Sequence, residues 1–287
     1  MRYHIAHTTT YTYDRPVSLL PHAVRLRPRS DVTQSLNHFT LQVEPTPLQV
    51  AENVDLDGNS TLKLWFAPEI ETTHLAIAIT SEVETHRDNP FLYLLEPWAI
   101  QLPFDYPTSL AQQLHPYLAG QLALGQAIDP IALQLAQEIH YQTAGNVISF
   151  LAELNQRIYQ TCEYTIRETG EPLSPGITWS QKVGSCRDVT VLFMEVCRAI
   201  GLAARFVSGY QEGDPDTAEF HLHAWAEVYL PGAGWRGYDP THGLAVGDRH
   251  IAVAASAIPS YAAPVTGAVR GNVRSELSYH LTLKRLD

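Results

Sequence analysis

The sequence predicts an α+β protein, with an N-terminal antiparallel β-sandwich followed by a core in which helices pack on an antiparallel sheet. Three observations carry this reading. Residues 2–85 consist of short period-two runs broken by turn residues; apolar residues then recur at 3.6 spacing behind capping residues; and after Gly201 the chain returns to period-two strands.

The N-terminal runs are Tyr3 to His7, Thr9 to Tyr13, Ala23 to Leu26, Leu36 to Val43, Ser60 to Phe66 and Leu75 to Ile79. Asp14-Arg-Pro16, Glu44-Pro-Thr-Pro47, Asp57-Gly58-Asn59 and Ala67-Pro68-Glu69 separate them with turn-favouring residues, which sets residues 1–88 apart as a sandwich domain. Residues 89–125 carry prolines at 90, 97, 103, 107 and 116 among aromatic and leucine residues. That is too apolar for a free linker and reads as a packed connection with a short helix from Ser109 to Leu118. Residues 126–287 form the core with a C-terminal extension.

In that core, Asp129-Pro130 supplies the cap and first residue of a helix from Ile131 to His140. A second helix, Asn146 to Gln160, places Ile148, Leu151, Leu154 and Ile158 on one face. Cys162 to Ile166 reads as a short strand, and Glu171 to Gly176 as a loop leading to Trp179. A third helix opens at Cys186, with Ser185 as N-cap and Asp188 as the returning carboxylate; Val189, Leu192, Phe193, Val196 and Ile200 recur until Gly201 ends it. Strands follow at Ala203 to Tyr210, His223 to Leu230 and Trp235 to Asp239, the last two joined by Pro231-Gly-Ala-Gly234.

With 45% hydrophobic and 17% charged residues in 287, the chain has ample material for a packed core. Nineteen basic against 30 acidic residues give a formal net charge of −11, which disfavours nucleic acid and anionic membrane surfaces as partners. Arg25, Arg27 and Arg29 alternate with Leu26 and Pro28 and read as the solvated side of a strand. Three cysteines without a Cys-x-x-Cys pair argue against a disulfide framework and for a reducing compartment. The N-terminal residues lack a signal-peptide apolar run, and no stretch reaches the length of a membrane span, so the expected location is the cytoplasm.

One constellation carries chemistry. At a helix start, unpaired N–H groups and the positive dipole end favour the thiolate of Cys186. A cysteine nucleophile also needs a base, and the base needs a partner that fixes its orientation. His223 on one hairpin strand and Asp239 on the next offer both. The register must bring them together: with Tyr229 opposite Ala233 they face each other directly, and with Leu230 opposite Trp235 they are offset by three positions. Each residue has a plainer reading, as packing, a half-buried histidine or a turn after a strand. Their conjunction distinguishes them.

Gly184-Ser-Cys-Arg-Asp188 and the run from His223 through Gly234-Trp-Arg-Gly-Tyr-Asp239-Pro-Thr-His-Gly243 resemble the core of the transglutaminase-like superfamily, above all its bacterial cysteine-protease-like members. Tyr3 to Arg29 is similar to the β-domain that precedes this core in those bacterial proteins, and Gly247 to Ala254 to the segment that follows it. The resemblance implies a papain-like α+β core with Cys186 as nucleophile, His223 as base and acid, and Asp239 as orienting carboxylate. Two departures stand out. Thr241-His242-Gly243 replaces an expected Thr-Asn-Gly, and Ala257 to Tyr261 replaces a Gly-Arg-Asp-Tyr-like run.

The expected activity is acyl transfer on protein or peptide amides through a thioester, with hydrolysis favoured; cross-linking to an amine and peptide binding without turnover are the alternatives. The partner is then a protein or peptide substrate. No cofactor is expected. Although His221, His223, Asp239 and His242 lie near one another in sequence, no zinc-type spacing occurs, so no metal is expected either. The backbone N–H of Cys186 is one oxyanion donor, and Tyr164 and Trp179 are the options for a second. His221 shares a strand face with His223 and is a further residue for the cleft, or a solvent-exposed neighbour.

Overall fold

The computed structural model describes residues 1–119, 127–167, 169–213 and 222–287. The N-terminal unit is built from two four-stranded antiparallel sheets. Strand β1 (Arg2–Ser18) is a single strand of 17 residues where the spacing predicts two, because the alternation that buries Tyr3, Ile5, His7 and Thr9 on one face runs on without a turn. It pairs with β6 (Glu71–Thr85) on one side and with β15 (Ser275–Arg285) on the other, and β3 (Gln34–Glu44) completes the sheet beyond β6. The second sheet runs in the order β14 (Val265–Thr266), β2 (His22–Val24), β5 (Ser60–Trp65) and β4 (Gln49–Val54). Each sheet therefore takes one edge strand from the C-terminal segment.

The three arginines after β2 are not simply solvated. Arg25 donates to the Ala263 carbonyl and the Thr266 hydroxyl, Arg27 pairs with Glu52 at 2.8 Å, and Arg29 donates to Asn59 at 2.8 Å. Each guanidinium reaches a partner that sequence distance hides.

The helical part begins with α1 (Thr108–Ala119). Helix α2 (Pro130–Gln142) is capped by Asp129, whose carboxylate accepts from the Ile131 N–H at 2.9 Å, and α3 (Val147–Thr161) by Asn146, which accepts from the Ser149 N–H at 3.0 Å. Beyond the loop expected before Trp179, the chain forms helix α4 (Pro175–Gln181), which ends at Lys182 in the left-handed region. Helix α5 (Cys186–Ala199) is the pivot. Its Val189, Leu192, Phe193, Val196 and Cys197 are all buried. It packs against α2, α4 and a five-stranded antiparallel sheet. Each large apolar side chain buried there contributes roughly 1.5–3 kcal/mol.

That sheet has the order β12 (Leu244–Ala245), β11 (Gly234–Asp239), β10 (His223–Leu230), β9 (Ala204–Gln211) and β13 (His250–Ser256). Its Tyr210, Ile251 and Val253 belong to the same apolar cluster as Tyr3, Ile5, Ile77 and Leu283, so the sheet and the N-terminal unit share a core. Among the described residues, no helix is long and apolar enough to cross a membrane.

Candidate active site

The local sequence fixes the thiol first. A short parallel pairing of β7 (Glu163–Tyr164) with β8 (Val183–Gly184) delivers the chain to Ser185, and the helix begins at the next residue. The Asp188 carboxylate accepts from the Ser185 N–H at 2.8 Å and from its hydroxyl at 2.7 Å. Its other oxygen accepts from the Leu173 N–H at 2.7 Å and from the Arg167 guanidinium, which staples the preceding loop to the helix start. Burial alone would raise the Asp188 pKa; these donors outweigh it and hold the carboxyl below its ordinary value. Cys186 thus sits, 8% exposed, on the first turn, where helix geometry leaves N–H groups without intrahelical acceptors.

His223 and Asp239 come from the β10–β11 hairpin, but by neither of the two registers weighed above. Leu230 pairs with Gly234 and Ala226 with Tyr238, so the turn takes Pro231, Gly232 and Ala233. Gly232 and Gly234 both have positive φ, 87° and 72°, a conformation that glycine adopts without strain. The same register sets Asp239 two positions from the residue opposite His223. An offset of two keeps both on one face, as diagonal neighbours that an imidazole can span. The His223 Nε2 to Asp239 Oδ2 distance is 2.8 Å. The ring's other nitrogen is left for the thiol side, and Cys186 is both a hydrogen-bond and a charge partner of His223.

Electrostatics follow from this burial. Desolvation alone would lower the His223 pKa, but the adjacent Asp239 carboxylate and then Cys186 overcome it and push it up to about 10. Asp239, fully buried, would be raised by desolvation, yet the His223 charge and donors from His223, His242 and His250 hold it well below the usual carboxylate range. His242 Nδ1 lies 2.9 Å and His250 Nε2 3.2 Å from the same Oδ2, while Oδ1 accepts from the Thr241 N–H at 3.0 Å. Among the described residues, His223, Asp239 and His242 are the group whose ligand atoms could hold a metal ion, all lying within 4.8 Å of one another. His250 is the member that sequence reasoning does not find. It arrives on β13, beyond β9, and no local spacing announces that.

A cavity of about 780 Å³ opens on Cys186 and His223. Its far wall is not part of the helical core: Tyr11 and Tyr13 of β1 and Leu277 and Tyr279 of β15 line it. Tyr164 lines it too, close enough to Cys186 to feel its charge. Trp179, the other option for the oxyanion, instead faces α2 and lies beneath the Lys182 ammonium, 3.3 Å from its ring centroid. His221 lies outside the described residues.

Comparison with known proteins identifies the fold that carries this arrangement. Residues 133–240 match the model of the transglutaminase-like superfamily. The chain carries a transglutaminase-like core. Residues 3–84 match the bacterial transglutaminase-like N-terminal region, so the two-sheet unit ahead of the transglutaminase-like core is a companion of that core rather than an unrelated addition. An uncharacterized protein of Mycobacterium bovis is 28% identical over 270 residues, covering 88% of this chain and 82% of its own. A protein-glutamine gamma-glutamyltransferase of Pseudomonas aeruginosa is 31% identical over 129 residues, which is 41% of this chain and 19% of that one. The crystal structure of a candidate cysteine protease from Cytophaga hutchinsonii shares the fold, with a TM-score of 0.72 and 21% identity over 100% of this chain and 91% of that one.

Proposed function

We propose that the transglutaminase-like core catalyses acyl transfer on protein or peptide amides, with Cys186 as nucleophile, His223 as acid and base and Asp239 as the carboxylate that orients it. The observation that carries this is the chain of contacts from a helix-opening thiol through His223 to a buried carboxylate at 2.8 Å, open to a cavity large enough for a peptide segment. The Cys186 sulfur attacks the amide carbonyl carbon. The C–N bond then breaks as His223 gives its proton to the departing nitrogen, leaving a thioester. Water next loses a proton to His223 and attacks the thioester carbon; the C–S bond breaks, the acid product departs, and the sulfur stays on Cys186 as a thiolate beside the protonated His223. The Cys186 N–H and the Tyr164 hydroxyl are the donors for the transient oxyanion.

Hydrolysis is the preferred outcome, because water needs no acceptor pocket. The stretch of likeness to a glutamyltransferase favours a second reading, in which an amine replaces water. Mass spectrometry of a glutamine-containing peptide, incubated with and without a primary amine, separates them. Conversion to the acid in both samples is expected. An amine adduct formed at the acid's expense overturns hydrolysis, and no product of either kind, with Cys186→Ala indistinguishable from wild type, overturns the acyl-transfer reading.

A further inference from the structure

Orienting His223 takes one contact to Asp239, yet three imidazoles converge on the same carboxylate oxygen: His223 at 2.8 Å, His242 at 2.9 Å and His250 at 3.2 Å. An sp² oxygen has two lone pairs, so one of these donors is surplus to ordinary hydrogen bonding. Nitrogen ligands around a buried carboxylate are instead the donor set that suits a zinc-class ion. We propose that His223 Nε2, Asp239 Oδ2 and His242 Nδ1 form a site for one Zn²⁺ ion.

Tetrahedral zinc holds its ligand atoms about 3.4 Å apart, so the two contacts to Oδ2 must open by roughly 0.5 Å and the two nitrogens, in a group that spans up to 4.8 Å, must settle at the same spacing. The way in is from the His242 side, since that side chain is 42% exposed while those of His223 and Asp239 are 7% and 0% exposed. A fourth position there is filled by water. His250 keeps its hydrogen bond to Asp239 and acts from outside, as the partner that orients a metal-binding carboxylate. Binding replaces two N–H···O contacts by metal bonds: the proton on His223 Nε2 leaves to solvent, and His242 binds through Nδ1 as the neutral tautomer with its proton on Nε2. The ion holds His223 in the neutral state and occupies the atom that Asp239 orients. If the acyl-transfer reading holds, zinc is therefore a reversible inhibitor, and His242, where the related pattern has asparagine, is the residue that creates this sensitivity.

The test is Zn²⁺ binding to the full chain, measured by calorimetry and by competition with a chromophoric chelator, for wild type, Cys186→Ala, His242→Ala and His242→Asn. One ion per wild-type chain is expected, with similar affinity in Cys186→Ala and a loss of about tenfold or more in both His242 variants. Circular dichroism identifies any variant that fails to fold, and the His242→Asn result then decides. Absence of micromolar binding in wild type overturns the site, as does a Cys186→Ala variant that loses zinc while the His242 variants keep it, which assigns the ion to the thiol. Calorimetry needs no turnover, so wild-type protein that binds zinc yet cleaves no amide when zinc-free refutes the acyl-transfer reading and leaves the metal site standing.

Discussion

Cys186 and His223 share a hydrogen bond and a charge interaction, and the clearest consequence at the scale of the residue is a pH dependence. His223 has an ordinary pKa of 6.5 and a folded value of about 10, so the folded chain favours the charged ring. Its contribution to stability is complete below pH 6.5 and is lost as pH rises through 10. The difference in thermal midpoint between wild type and His223→Gln should shrink over that interval; a gap that stays constant would refute the ion pair. The thiol has its own test. Iodoacetamide should label Cys186 faster than an ordinary thiol from about pH 5 to about pH 9, and an ordinary rate would remove the claim of activation. Cys186, His223 and Asp239 are legible in sequence because a helix start and a hairpin are local patterns. His250 is not, since its approach to Asp239 depends on how β13 is added beyond β9.

At the scale of the element, the β9–β10 pairing sets the position of the histidine. Gly209 lies opposite His223, and a Cβ there would stand 2.2 Å from the Ile251 carbonyl oxygen and 2.6 Å from the Trp225 ring. Neither the β13 backbone nor the buried indole can give way cheaply. Gly209→Ala should therefore cost about 3 kcal/mol in urea denaturation and slow the labelling of Cys186. Unchanged stability would show that this close approach is not needed. Helices α2 and α5 are legible from caps and periodicity, down to Asp129 and Ser185, and α3 from periodicity, its Asn146 cap being visible only in the structure. The hairpin register is not, because Gly232 within the turn and Gly234 beside it admit several places for the chain to reverse. Helix α4 is hidden for another reason: at seven residues it has too short a pattern to display a period.

At the scale of the whole molecule, the N-terminal unit and the transglutaminase-like core are not independent beads. Tyr210, Ile251 and Val253 share one apolar cluster with Ile5, Ile77 and Leu283. Leu283→Ala should cost about 2–5 kcal/mol and lower a single unfolding transition seen alike by far-ultraviolet circular dichroism and tryptophan fluorescence. Two separated transitions would show that the units melt apart. Sequence marks residues 1–88 as strands, but it does not show that Ser275–Arg285 pairs with Arg2–Ser18, since a single strand carries no address for its partner. That pairing bears on how the protein is made. Strand β1 is synthesised long before its neighbour β15, so one edge of β1 stays open while the ribosome translates everything between them. A contact this distant in sequence forms slowly, and the nascent protein carries an unpaired edge in the meantime. Completion of the first sheet is thus a late event in the life of each new molecule, and the wall that β15 adds to the cavity can be in place only after translation has passed Arg285.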